Sequence, residues 1–259
     1  IINADGSSAQ ELQIEAGTDY RFDPFEYKTY SSDVNHYSVS PDGKYSAMVI
    51  RGEVFITENS KKKKRTVNIS RSPFRDIEPV WTSDTTLVYL SDREGQYDLY
   101  LVRSSDDEET DLFRSLKHST VRLTETREDE SSLTVSPGGD RIAFVRGRGM
   151  LITASLNEND RIDDQKVLLD GWATPEGVSW SPDGEWLAYS LEDLNFNAEI
   201  YIHSADGSGD PVNVSMHPRG DYWPEWSPAG DKLGFVSSRN NRDTDIWFVW
   251  LKEEDWEKT

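Results

Sequence analysis

The sequence predicts an all-β protein, a β-propeller built from four-stranded blades. Three observations lead there: a recurring Ser-Pro-x-Gly turn, a near-constant step between these turns, and short alternating apolar runs with no sustained helical periodicity. The turns are Ser40-Pro41-Asp42-Gly43, Ser136-Pro137-Gly138-Gly139, Ser181-Pro182-Asp183-Gly184 and Ser227-Pro228-Ala229-Gly230. A fifth, Val80-Trp81-Thr82-Ser83-Asp84, stands where one more is due, with Ser83 in the proline position. From 41 through 83, 137 and 182 to 228 the steps are 42, 54, 45 and 46 residues. A four-stranded blade takes about 45 residues.

Each unit follows one order. An alternating stretch such as Val178-Ser179-Trp180 or Pro224-Glu225-Trp226 predicts a half-buried first strand. The turn follows, proline fixing φ and glycine supplying a positive φ. A second strand comes next, as in Tyr45–Ile50, Leu87–Leu90, Ile142–Val145, Trp186–Tyr189 and Leu233–Val236. Third strands are expected at Glu53–Ile56, Asp98–Val102, Met150–Thr153, Glu199–Ile202 and Asp245–Val249. Short fourth strands are expected at Thr66–Ile69, Val121–Thr124 and Val212–Val214. Blade limits at 37–74, 75–128, 129–172, 173–218 and 219–259 follow, with 1–36 as a partial blade and connector of the same single domain.

Both ends break the repeat. Ile1–Ser7 aligns with Ile202–Ser208, a third strand and turn, and the last unit stops after its third strand. Five recognisable repeats plus a partial blade give a six-bladed or an incomplete seven-bladed ring. The expectation is an excised fragment that either self-associates through open edges at Ile1–Glu15 and Ile246–Leu251, since unpaired edges recruit other chains, or has one of these edges poorly ordered.

Composition narrows the partners. The 259 residues carry 48 acids against 28 lysines and arginines, for a net charge of −20. Such a surface repels phosphate backbones and anionic membranes. Nine Trp, eleven Tyr and nine Phe supply a sizeable core, so the chain is not read as disordered. The longest apolar runs, such as Ile246–Leu251, fall far short of the ~20 residues that span a bilayer, and no membrane insertion is expected. Absent cysteine excludes disulfides and cysteine-ligated metals. No signal peptide is visible, and the compartment is open on these grounds.

The unit Trp180-Ser181-Pro182-Asp183-Gly184, with Leu187-Ala188-Tyr189 and Glu199-Ile200-Tyr201, resembles the TolB-like repeat. That repeat occurs in the Tol-system periplasmic propeller, in prolyl-oligopeptidase propellers and in tricorn-like proteases. Ser40–Lys44, then Arg51-Gly52-Glu53-Val54-Phe55, then Tyr89–Tyr100 looks most like the propeller region of tricorn-like serine proteases. This resemblance implies a longer parent with PDZ-like and serine protease domains. In it the propeller would gate, bind or channel peptide or unfolded polypeptide, or scaffold the protease. An exported or periplasmic location is implied the same way. The alternatives are a stand-alone interaction module like TolB and the propeller of a prolyl-oligopeptidase-like peptidase. Blade two departs from the pattern, lacking Pro and Gly in its turn and carrying an insertion at Asp106–Lys117.

Candidate chemistry is sparse. Four histidines, His36, His118, His203 and His217, and no Gly-x-Ser-x-Gly elbow give no catalytic triad. This chain alone is therefore expected not to be an enzyme. The acid-rich stretches Asp106–Glu109, Glu158–Asp164 and Asp206–Asp210 fit no calcium-loop spacing and are read as solvated loops. No metal or cofactor is expected. The basic run Lys61–Arg65 is read as a hairpin tip, either merely charged or docking an acidic partner.

Trp81, Trp180 and Trp226 share a repeat position and are read as core. Trp172, Trp223, Phe74 and Phe196 fall outside it, in connecting loops where a propeller meets ligands. Trp223, beside Tyr222 and Pro224, fits either a peptide-contacting patch or a seal at a blade junction. Arg51, Arg93 and Arg239 just after the second strands fit either an ion-pair girdle or charges that select peptide termini. The candidate contact residues are thus Trp223, Tyr222, Trp172, Arg51, Arg93 and Arg239.

Overall fold

A computed structural model describes residues 5–7, 30, 32–60, 65–157, 159–241 and 243–257. The chain divides into two compact units, Ile1–Ser32 and Asp33–Thr259. In the first, Asp5 Oδ1 accepts the backbone N–H of Ser7 at 2.9 Å. The expected edge at Ile1–Glu15 and most of the basic run Lys61–Arg65 lie outside the described residues.

The second unit is a series of antiparallel meanders. The first sheet holds β1 (Val34–Val39), β2 (Tyr45–Ile50), β3 (Glu53–Glu58) and β4 (Thr66–Asn68). Then come β5 (Asp76–Ser83), β6 (Thr86–Ser91), β7 (Asp98–Ser104) and β8 (His118–Arg122). The third sheet is β9 (Glu130–Val135), β10 (Arg141–Arg146), β11 (Met150–Leu156) and β12 (Ile162–Asp170). The fourth is β13 (Glu176–Trp180), β14 (Trp186–Glu192), β15 (Ala198–Ser204) and β16 (Val212–Asn213). The fifth has three strands, β17 (Asp221–Trp226), β18 (Lys232–Asn240) and β19 (Asp243–Trp250), followed by one helical turn, α1 (Glu253–Trp256). This is a β-propeller, all-β, with one sheet for each recognisable repeat.

The core sits between consecutive sheets. Tyr45, Val49 and Ile56 of blade one pack with Trp81, Tyr89 and Val102 of blade two, and Leu90 and Leu101 of blade two pack with Phe144 and Ile152 of blade three. Blades three and four meet through Leu151, Trp180 and Tyr189, and blades four and five through Ile200, Leu233 and Phe235. Two of the three repeated tryptophans tie neighbouring blades together by hydrogen bonds. Trp81 Nε1 donates to Ser38 O and Trp226 Nε1 to Ser179 O, each at 3.2 Å and each on the preceding blade. The first strands β1, β5, β9, β13 and β17 pack successively against one another, so they form the inner layer.

Inner strands carry a repeated irregularity. The ladders shift register between Ile77 and Val80, between Glu176 and Ser179, and between Tyr222 and Glu225. At the bulges Glu78, Ser132, Gly177 and Trp223 take positive φ of 49°, 54°, 63° and 54°. This corrects one expectation: Trp223 lies within strand β17 rather than in a loop, because the bulge bends it outward without ending the ladder. Arg239 likewise lies inside β18, which runs longer than its apolar pattern, and β1 begins at Val34, ahead of the blade limit read at 37. Asp163 and Asp164 belong to β12 and not to a loop, since Ser155 and Leu156 supply ladder partners as far as Asp163 and Ile162.

The insertion in blade two folds back on blade one. Leu112 and Phe113 are buried, Phe113 stacks on Tyr45 with ring centroids 5.1 Å apart, and Tyr45 Oη donates to Asp111 Oδ2 at 2.7 Å. Arg65 lies over the Phe113 ring, 5.3 Å from its centroid.

Candidate functional site

At the end of the sheets where first strands begin, a cleft of about 480 Å³ opens on blade four. Trp172 from the connector after β12, Phe196 from the β14–β15 turn and Tyr222 from β17 wall it, with Glu176, Glu192 and Arg148 at its polar positions. Trp172 and Phe196 meet edge to face, centroids 5.7 Å apart at 77°, and Trp223 stands 6.2 Å from Tyr222. All four rings are exposed, Phe196 at 74% and Trp223 at 65%. Exposed aromatics gathered in one place mark an interaction site more often than scattered ones.

Local chemistry explains the placement. In the β14–β15 turn, Asp193 Oδ1 accepts the N–H groups of Asn195 and Asn197 at 2.7 and 3.0 Å, and Phe196 N donates to Asp193 O at 3.0 Å. Phe196 thereby takes φ of +57°, a conformation that costs a bulky residue roughly 1 kcal/mol or more. Trp223 needs its neighbour to be small: a Cβ on Gly177 would lie 3.2 Å from Trp223 Cα.

Of the sequence candidates, Trp172 and Tyr222 line this cleft and Trp223 adjoins it. The arginines lie elsewhere. Arg93 Nη2 meets Asp76 Oδ1 at 3.3 Å, and its Nε donates to Ser91 Oγ at 2.9 Å. Arg239 Nη2 meets Asp221 Oδ2 at 2.8 Å, its Nε likewise donating to Ser237 Oγ. A third pair, Arg146 with Glu130 at 2.9 Å, was not anticipated. Asp98 pairs with Arg122 at 2.7 Å. Arg51 sits in the β2–β3 turn at φ of +55°. Burial pushes the Glu130 carboxyl up to about 7, against the pull of Arg146.

Two open pockets follow the inner strands. One, about 640 Å³, takes residues from all five first strands or their turns, including Val39, Trp81, Val135, Trp180 and Glu225. The other, about 400 Å³, is lined by His36, Glu78 and Ser132 among others. Glu78 Oε2 accepts the Leu133 N–H at 2.8 Å, while burial raises its carboxyl pKa. Elsewhere, His118 Nε2 faces Leu112 O at 3.0 Å and His203 Nε2 faces Gly209 O at 3.2 Å. Among the described residues no group of three or more His, Asp or Glu converges as metal ligands.

Glu176, Glu192 and Arg148 were missed by sequence reasoning, and Phe196 was noticed only as lying outside the repeat. The available signal was negative: Pro175 stands five residues before Trp180, where Asp76 and Asp221 stand before Trp81 and Trp226.

Fold and cleft together define a β-propeller with an aromatic, acidic cleft at one end of its sheets. Its fold is that of TolB and of the tricorn propellers. A solved structure of a TolB from Agrobacterium tumefaciens, itself named putative, superposes at a TM-score of 0.60 with 18% identity, covering 84% of this chain and 77% of that one. The tricorn protease gives a TM-score of 0.64 and 16% identity over 85% of this chain and 22% of that one. Among curated proteins, a tricorn-like protease C-terminal subunit of Sulfurisphaera tokodaii, itself named putative, is 24% identical over 206 residues, 76% of this chain and 21% of its own length. The uncharacterized peptidase YuxL of Bacillus subtilis is 29% identical over 175 residues, 66% of this chain and 23% of its own. A dipeptidyl-peptidase 5 of Porphyromonas gingivalis is 33% identical over 84 residues, 29% of this chain and 12% of its own. The chain thus spans less than a quarter of the length of these curated relatives. No family model matches it.

Proposed function

We propose that this propeller binds extended polypeptide on the face bearing the blade-four cleft and presents it to a serine protease domain of a larger protein. The observation that carries this reading is the gathering of Trp172, Phe196, Tyr222 and Trp223, all exposed, at one end of the sheets. Peptidase-named relatives and the tricorn-type fold support the protease context. The role is binding or gating and not bond cleavage. In support, His118 and His203 each face a backbone carbonyl rather than a serine, and the described residues lining the cleft include two carboxylates and no histidine.

The test is to incubate the purified chain with a fluorogenic peptide library while following binding of a labelled, unstructured 20-residue peptide by anisotropy. Saturable binding without hydrolysis is expected. Hydrolysis that survives repurification would overturn the non-catalytic role, and absence of binding would overturn the polypeptide role.

A stand-alone interaction module is the second reading, favoured by one observation. The likeness to TolB takes in 77% of that chain, against 22% of the tricorn protease. A module of this kind would capture a folded partner protein and ignore unstructured peptide.

A further inference from the structure

Blades two, three and five each hold an internal cation near the start of their first strand. Arg93 pairs with Asp76 and lies 4.3 Å over the Tyr100 ring. Arg239 pairs with Asp221 and lies 5.0 Å over Trp247, and Arg146 pairs with Glu130 and lies 5.6 Å over Phe144. The shared chemistry is one guanidinium between a carboxylate and an aromatic face.

Blade four departs at both members of the pair. Pro175 takes the acid's position, and Asp193 stands six residues beyond Leu187, where Arg93 and Arg239 stand six beyond Leu87 and Leu233. Tyr89 receives Arg93 on its hydroxyl at 3.0 Å. Tyr189, at the same ladder position of blade four, keeps a fully buried hydroxyl with no hydrogen-bond partner. Residues 173–218 contain eight acids and not one lysine or arginine. Blade four therefore keeps aromatic rings and carboxylates, around a cleft of about 480 Å³, and has no cation of its own.

The turn beneath Phe196 adds an independent sign. The left-handed position of this hairpin is Gly52 in blade one, Gly95 in blade two, Gly147 in blade three and Asn241 in blade five, all residues that tolerate positive φ. Only blade four places a bulky aromatic there, against local preference, and the ring faces Trp172.

Resting on the polypeptide-binding reading, we propose that the blade-four cleft recognises a lysine or arginine side chain of the bound polypeptide. Trp172, Phe196 and Tyr222 take its aliphatic stem, and Glu176 and Glu192 take its charge. Arg148, the one cation among the described residues lining the cleft, opposes the ligand and tempers its affinity.

The experiment uses peptides blocked at both ends, Ala-Ala-X-Ala-Ala, with X lysine, acetyl-lysine or glutamate, titrated by calorimetry against the whole chain. Lysine is expected to bind about tenfold tighter than acetyl-lysine, the two sharing a stem and differing in charge. That ratio is expected to fall within about twofold of unity in the double variant Glu176→Gln/Glu192→Gln, and to rise in Arg148→Ala. Phe196→Gly is expected to weaken the lysine peptide without lowering the melting temperature, because glycine suits φ of +57°. Equal binding of lysine and acetyl-lysine, or a ratio unmoved by the glutamine variants, would overturn the proposal while a binding 20-residue peptide leaves the polypeptide reading standing. In a parallel titration of the same peptides with a free amino terminus, tighter binding of the unblocked form, whatever X is, would assign the cleft to chain ends instead and overturn the proposal. If neither short nor long peptides bind, both readings fall together.

Discussion

Arg239 reaches back across β18 and β17 to Asp221, Nη2 to Oδ2 at 2.8 Å, with Asp221 fully buried. The pairing ties the end of the second strand to the start of the first, as Arg93–Asp76 and Arg146–Glu130 do in their own blades. Removing one partner of a buried pair leaves an uncompensated charge and costs about 3–5 kcal/mol, whereas replacing both by apolar groups of similar volume is often neutral. Asp221→Ala is thus expected to lower stability by that amount in urea titration, and Asp221→Leu/Arg239→Met to recover most of it. A cost below about 1 kcal/mol for the single variant would mean that the pair contributes no more than a surface contact.

Glu130 gives the fold a pH dependence of defined sign. Burial pushes its carboxyl up to about 7 in the folded chain, against an ordinary value of 4.5. The folded chain therefore holds this proton more tightly, and its contribution to stability is full below about pH 4.5 and lost as pH rises through about 7. At about 1.4 kcal/mol per unit the swing is at most about 3 kcal/mol. Glu130→Gln is expected to flatten the stability profile between pH 4.5 and 7.5. An unchanged slope would place the Glu130 pKa near its ordinary value.

Gly139 and Gly43 occupy the same turn of the repeat, with φ of +76° and +71°. A Cβ on Gly139 would meet the Thr82 carbonyl oxygen of blade two at 2.0 Å, while one on Gly43 meets nothing within 4 Å. Gly43→Ala is expected to cost about 1 kcal/mol from backbone strain alone, and Gly139→Ala at least about 2 kcal/mol more. Equal costs would show that the two turns can relax alike.

Periodicity made the blades legible. Pro and Gly in the Ser-Pro-x-Gly turns restrict the backbone locally, and strand alternation follows from the pleat. Trp81 and Trp226 could be read as core for the same reason, and both donate across a blade junction. What stayed hidden depends on residues brought together by tertiary packing. Phe113 packs on Tyr45 across 68 positions of sequence, and nothing local to the insertion encodes that. The aromatics of the cleft were visible as residues outside the repeat, but their grouping needs the β14–β15 turn beside the connector after β12. Glu176 and Glu192 carry no motif. Their site is defined by the arginine that blade four lacks, a departure legible only once the clamp of the other blades is known.

β19 is the outer strand of its sheet among the described residues, and Ile246 and Phe248 are exposed at 86% and 57%. Apolar edges of this kind pair with other chains. Self-association that depends on concentration is expected in sedimentation, and Ile246→Lys/Phe248→Lys is expected to abolish it. A strictly monomeric wild-type chain at high concentration would remove this edge as an interface.

Hydrogen exchange of the whole chain, with and without a saturating lysine-containing 20-residue peptide, tests most directly where polypeptide binds. Slower exchange confined to 172–177, 190–198 and 221–223 is the expected result. Protection confined to β19, or spread along the inner strands with none at these segments, would contradict the assignment of the blade-four cleft.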